Sequence, residues 1–214
     1  MSIRKITFEN DEYYHVLNRG ADKRNIFRTV KDVERFLKSM EFFNDEKPTD
    51  GIKENEEELQ MRKHNKSPLV EVICFCLNPN HYHLILRQLS DGGVEKFMHK
   101  LGTGYTMYFN KKYRRTGVLF QGKFKAFHLN SDEKLLYTSV YVNLNNKIHK
   151  IGKRYEKLTR SSWEEYVGDL NKNLCEKEII LGQFKNTNEY KEYAMDTKDL
   201  ILENKTKFRE LEKE

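Results

Sequence analysis

The stretch LVEVICFCL, NPN, HYHLILR, residues 69–87, decides how this chain folds. Leu69 to Leu77 and His81 to Arg87 are two apolar runs of strand length, rich in β-branched and aromatic residues. Asn78-Pro79-Asn80 between them has the chemistry of a tight turn, so the two runs are predicted to pair as neighbouring antiparallel strands. Side chains alternate along a strand, which puts His81 and His83 on one face and Tyr82 on the other.

Working outward, Asp45 to Ser67 is charge-rich and broken by Pro48 and Gly51, and reads as a solvated, mobile insertion, partly helical around Glu54 to Met61. Before it, Val33, Phe36, Leu37, Met40 and Phe43 recur at helical spacing, predicting an amphipathic helix over 31–45. Earlier still, Tyr13 to Leu17 has strand character and is closed by Asn18-Arg19-Gly20. On the other side, Val94, Phe97, Met98, Leu101 and Tyr108 mark a helix from Gly93 to about Lys112, and Val118 to Leu129 returns to strand. Ser131 is placed as an N-cap, with Asp132 and Glu133 in the first turn of a helix running to about Lys147. The order β-α-β-β-α-β-α implies an α+β fold, an antiparallel sheet with helices mainly on one face, on the ferredoxin-like plan. After Ser161 the pattern is helical, over Glu176 to Phe184 and Asn188 to Lys213. The expected organisation is a catalytic unit over 1–160 and a helical extension over 161–214.

Composition narrows the function. A mean hydropathy of −0.85 goes with 13 Phe and 12 Tyr, enough aromatic surface for a packed core. No run approaches the roughly 20 apolar residues of a membrane span, and the start lacks a secretory pattern, so a cytoplasmic protein is expected, nucleoid-associated when bound to DNA. Cys74, Cys76 and Cys175 form no C-x-x-C and read as buried free thiols. The net charge of +6 is unevenly spread. Lys96, Lys100, Lys111, Lys112, Arg114, Arg115, Lys123 and Lys125 fall in one stretch without an acid, and six more basic residues between Lys147 and Arg160 face only Glu156. Uncompensated cationic stretches attract phosphate backbones, so nucleic acid is the expected partner and those eight residues its expected contacts.

Two pieces carry chemistry. The histidine pair can hold one divalent ion, or can be two sheet histidines that only hydrogen-bond. On the helix after Ser131, Tyr137, Tyr141 and Asn145 are spaced by four and share a stripe between core and cleft, beside a core stripe of Leu136, Val140 and Leu144. An amide oxygen in that stripe suits a cation held by two imidazoles.

With these residues in view, the sequence resembles the single-tyrosine transposases that carry a histidine-hydrophobe-histidine core, specifically the REP-associated tyrosine transposases. The matching segments are Leu77 to Leu84, Tyr14 to Gly20, Tyr108-Phe109-Asn110 with Gly117, Phe120 to Ala126, Tyr141 to Asn145, and Ser161-Ser162-Trp163 with Tyr166 and Gly168. They occur in the family's order over residues 13 to 195. The resemblance implies that His81 and His83 are metal ligands for Mg2+ or Mn2+, that Tyr141 is the nucleophile and that Asn145 is the third ligand. It also implies single-stranded or hairpin DNA as substrate, with a homodimer as one of the family's two forms. Asn146 stands where members commonly have Pro, a departure at the helix end. Tyr137 is the rival nucleophile, one turn further from Asn145. The expected chemistry is cleavage through a 5′-phosphotyrosine that conserves the bond energy for rejoining. The alternatives are a rolling-circle initiator or relaxase, and a nucleic-acid-binding module with structural histidines.

Overall fold

The computed structural model describes residues 6–47, 67–168 and 174–204. Five strands form one antiparallel sheet in the order β4-β1-β3-β2-β5: β1 (Tyr13–Arg19), β2 (Val70–Asn78), β3 (His81–Gln88), β4 (Lys125–His128) and β5 (Arg160–Ser161). The β2–β3 hairpin closes as the sequence predicts, with Asn78 opposite His81 and Pro79-Asn80 as the two-residue turn. β2 carries a bulge at Ile73, between the Val72 and Cys74 pairs. The carbonyl that the bulge leaves unpaired accepts from the Tyr166 hydroxyl at 2.7 Å.

β1 runs two residues past the predicted end, because Asn18 and Arg19 pair with Tyr82 and His81. The turn falls at Gly20, where a Cβ would lie 2.2 Å from the Arg24 carbonyl oxygen. The strand predicted over Val118 to Leu129 is shorter than expected. Only Lys125–His128 pairs along β1, and Phe120 makes one isolated bridge to Gly20. The intervening loop holds Gly122 at φ +76, which a continuous strand would not allow.

The helices are α1 (Val30–Phe43), α2 (Gly93–Lys112), α3 (Asp132–Asn143), α4 (Asn145–Ile148), α5 (Trp163–Val167), α6 (Glu178–Leu181) and α7 (Thr187–Glu203). The α+β class and the antiparallel sheet are those the sequence implies, but helices cover both faces. On one face α1 and α2 pack over Tyr82, with the Phe36 ring 5.1 Å from Tyr82 and 4.9 Å from Tyr105. On the other, α3 lies across β2 and β3, and α7 backs it. The central strands require this. From Val72 through Asn78 and from Tyr82 through Leu86 every residue is buried, so neither side of the hairpin faces water.

Asp32, fully buried in the first turn of α1, ties that helix to α2. Its carboxylate accepts from Lys112 Nζ at 2.6 Å, from the Tyr113 and Tyr108 hydroxyls, and from the backbone N–H groups of Arg28 and Thr29. Burial works against the charge on Asp32, yet these donors hold its carboxyl below the usual range. The three cysteines are free and buried, and burial pushes the Cys76 thiol up to about 12. Among the described residues no helix is long and apolar enough to cross a membrane.

The helical stretch expected around Glu54 to Met61 lies outside the described residues, as does the end of the last predicted helix beyond Asn204. The described flanks of the first are joined, with Glu46 N–H donating to the Ser67 carbonyl at 2.9 Å.

Candidate active site

β3 presents His81 and His83 on the α3 side, their ring centroids 5.2 Å apart and nearly perpendicular. β1 adds His15, stacked on His83 at 5.2 Å, with its Nε2 3.0 Å from His83 Nδ1. α3 brings Tyr141 edge-on to both, at 5.6 Å from His83 and 6.1 Å from His15. His149, one residue past α4, places its Nε2 3.3 Å from the Tyr141 hydroxyl, and its ring meets His81 at 6.3 Å. Side chains from β1, β3, α3 and the end of α4 thus converge on one spot.

Asn145 is fully buried there. Its Oδ1 accepts from Asn78 Nδ2 at 2.7 Å, and that same nitrogen stands 3.0 Å from His81 Nε2. With Asn80 Oδ1 2.6 Å from His81 Nδ1, the fitting tautomer has the proton on Nδ1 and the lone pair on Nε2. The lone pairs of His81 Nε2 and Asn145 Oδ1 are therefore aimed at a common donor. Among the described residues, buried His83 Nε2 and Asn145 Nδ2 find no hydrogen-bond partner. Each such atom carries a desolvation cost of about 1–3 kcal/mol, which stability alone does not account for.

Burial keeps these imidazoles neutral. It lowers His15 and His81 to about 4, with the neighbouring Arg19 and His149 side chains adding to the shift at His81. His83 is held well below its ordinary value by burial first and by the neighbouring histidines after. Neutral imidazole is the form that ligates metals. Among the described residues no group of three His, Cys, Asp or Glu side chains forms a metal site. The donor set that is present is mixed, two imidazoles and an amide oxygen, and it fits a divalent ion that completes its shell with further oxygens.

The structure corrects the reading of the Tyr137, Tyr141, Asn145 stripe. It does not border an open cleft, since Tyr141 is 2% exposed. Nor is it one stripe, because α3 ends at Asn143. Leu144, at φ −108 and ψ 13, sets α4 off on a new course, so Asn145 is not simply one turn beyond Tyr141. Tyr137 is half-buried and interacts with Tyr193 of α7, and its hydroxyl is pushed up by burial and by that neighbour. Leu135 rather than Leu136 is the fully buried leucine of the first turns.

His15, His149, Asn78 and Asn80 are members of the cluster that the sequence reading did not single out. His15 was open to discovery, since alternation from β1's pairing puts it on the His83 face. His149 was not, because it lies past a helix break. The basic residues divide in two. Lys112 is held by Asp32, and Lys100 Nζ donates to the carbonyls of Asp45 and Lys47. Lys96 lies 3.7 Å from Glu46, and Arg115 is bonded to Asn110 and the Val118 carbonyl. Lys111, Arg114, Lys123 and Lys125 are exposed.

The fold is thus an antiparallel α+β sheet with a histidine pair on a central strand, facing a tyrosine from the crossing helix and an asparagine from the short helix after it. The family described as Transposase IS200 like matches residues 10–146, well over half of the chain, and every one of those four residues lies inside the match. The chain belongs to the IS200-like transposase family. Among solved structures it is similar to a REP-associated tyrosine transposase bound to a REP hairpin, at 12% identity and a TM-score of 0.48, covering 83% of this chain and 98% of that one. No curated protein matches it.

Proposed function

We propose that this transposase-family protein cleaves and rejoins single-stranded, hairpin-forming DNA with the Tyr141 hydroxyl as nucleophile. The observation that carries the reading is the buried convergence of His81, His83, Asn145 and Tyr141 from β3 and the α3–α4 corner. It is sharpened by two polar atoms, His83 Nε2 and Asn145 Nδ2, that the fold leaves unpartnered. His81, His83 and Asn145 would hold Mg2+ or Mn2+. When bound, such an ion polarises a non-bridging phosphate oxygen and offsets the charge that develops there.

The chain's own residues do the rest. Tyr141 Oη forms a bond to phosphorus as the bond from phosphorus to the 3′ oxygen breaks, leaving a 5′-phosphotyrosine and a free 3′ hydroxyl. The phenol loses its proton and the departing 3′ oxygen gains one, so the step is balanced in protons. His149 Nε2, 3.3 Å from the phenol oxygen, is in reach of that proton. The edge-on packing against His15 and His83 holds the ring beside the ligand pair. Attack by a second 3′ hydroxyl on the same ester reverses the step and frees Tyr141, with no nucleotide cofactor consumed. The exposed Lys111, Arg114, Lys123 and Lys125 supply phosphate contacts.

Tyr141 is preferred to Tyr137 because it touches the histidines, whereas Tyr137 is engaged with α7. Covalent trapping tests this. Single-stranded hairpin DNA with Mg2+ or Mn2+ is expected to give a denaturation-resistant adduct, lost in Tyr141→Phe and kept in Tyr137→Phe. An adduct that survives in Tyr141→Phe overturns the assignment.

A further inference from the structure

A second buried polar chain grips α3 from behind. The Phe75 backbone N–H on β2 donates to Ser162 Oγ at 2.8 Å, and the Ser162 hydroxyl donates to Asn143 Oδ1 at 2.5 Å. Asn143 Nδ2 in turn donates to the Tyr190 hydroxyl of α7 at 3.0 Å. Ser139, one turn before Asn143, is buried as well, its hydroxyl donating to the Leu136 carbonyl at 2.7 Å. Asn143, Ser162, Ser139 and Tyr190 are all at or near zero exposure. Ser162 and Tyr190 lie beyond the residues matched by the family, so this chain's C-terminal part supplies half of the link.

The link controls a degree of freedom that packing leaves loose. Ser139 through Asn143 are five consecutive buried residues, so α3 has no single apolar stripe to fix its rotation about its own axis. Asn143 is two residues from Tyr141, about 200° round the helix, and so holds α3 on the side opposite the histidines. Hydrogen bonds with defined donors and acceptors accept only a narrow range of rotation, where apolar contacts tolerate sliding. The phenol oxygen stands well out from the axis, and a turn of about ten degrees would move it roughly 1 Å, a displacement that can cost a catalytic step about a hundredfold.

We infer that Asn143, Ser162 and Tyr190 are positioning residues that set the rotation of α3 and hence the reach of the Tyr141 hydroxyl. The inference rests on Tyr141 being the nucleophile. It is tested by single-turnover adduct formation on hairpin DNA with Mg2+, alongside DNA binding and thermal unfolding. Tyr190→Phe and Ser162→Ala are expected to slow adduct formation about tenfold or more with an unchanged DNA dissociation constant, and Ser162→Thr, which keeps the hydroxyl, to recover most of the rate. Ile201→Val, a truncation in the buried face of α7, is the stability control, expected to lower the thermal midpoint and leave the rate alone. Rates in Tyr190→Phe and Ser162→Ala that equal wild type, or that fall only as much as in Ile201→Val, overturn the inference. Mapping the wild-type adduct separates the two claims. An adduct on another residue removes the nucleophile assignment and this inference with it, whereas an adduct on Tyr141 with unchanged variant rates removes the inference alone.

Discussion

Tyr82 and His83 are neighbours in sequence and opposites in environment. Tyr82 points into the face covered by α1 and α2, where Phe36 and Phe120 pack against it and the nearby Tyr105 hydroxyl donates to the Ile26 carbonyl at 2.7 Å. His83 points into the face covered by α3, where its Nδ1 meets His15 and its Nε2 finds no hydrogen-bond partner among the described residues. One face is built to be stable. The other holds neutral imidazoles and an amide nitrogen without a hydrogen-bond partner among the described residues, at a cost in stability that the proposed ligand site would explain.

Substitutions on the two faces should therefore separate activity from stability. The largest effect is expected from His83→Phe, which removes the orphaned Nε2 together with the Nδ1 that meets His15. Adduct formation should fall by at least about a hundredfold, while the thermal midpoint changes little, because relief of one orphaned nitrogen offsets the partner lost by His15. A large loss of stability with activity intact would erase the distinction between the faces. Phe36→Ala on the opposite face should do the reverse, costing about 3–5 kcal/mol in urea unfolding and leaving the adduct rate of the folded fraction near wild type.

Acid should act through the histidine face. His15 and His81 have folded values near 4 against 6.5 when unfolded, so below pH 6.5 the unfolded chain binds protons that the fold refuses. Their contribution is intact above pH 6.5 and is lost as pH falls towards 4. The thermal midpoint without added metal should drop through that window, and less steeply in His15→Phe. A flat profile there would mean that these rings are not held neutral.

The smallest effects sharpen the division of the basic residues. Lys112→Ala leaves the buried Asp32 without its cation and should cost about 1–2 kcal/mol of stability. Lys123→Ala should leave stability alone and reduce the salt dependence of single-strand binding by about 0.7 in log-log slope, the share of one phosphate contact. Equal slopes for wild type and Lys123→Ala would take that residue off the DNA path.

Much of this was legible from residue order. The run from Leu69 to Arg87 determined the central hairpin, because two apolar runs of strand length and the Asn78-Pro79-Asn80 turn are local properties, and side-chain alternation along a strand put His81 and His83 on one face. The sequence reading put the helices mainly on one face, whereas the unbroken burial of that hairpin in the structure requires both faces to be covered. Asn145 was placed by spacing along a helix that in fact stops at Asn143, and it reaches His81 through Asn78 by a turn of the chain that spacing did not give. What only the tertiary structure decided is the company these groups keep: His15 against His83, His149 over Tyr141, Asn78 between His81 and Asn145, and Tyr190 behind Asn143. The reason is physical. Periodicity fixes the face from which a side chain leaves its own element, whereas contacts between elements, 47 to 68 residues apart for three of these and across a helix break for His149, depend on strand register and the packing of both sheet faces, which a local pattern does not encode.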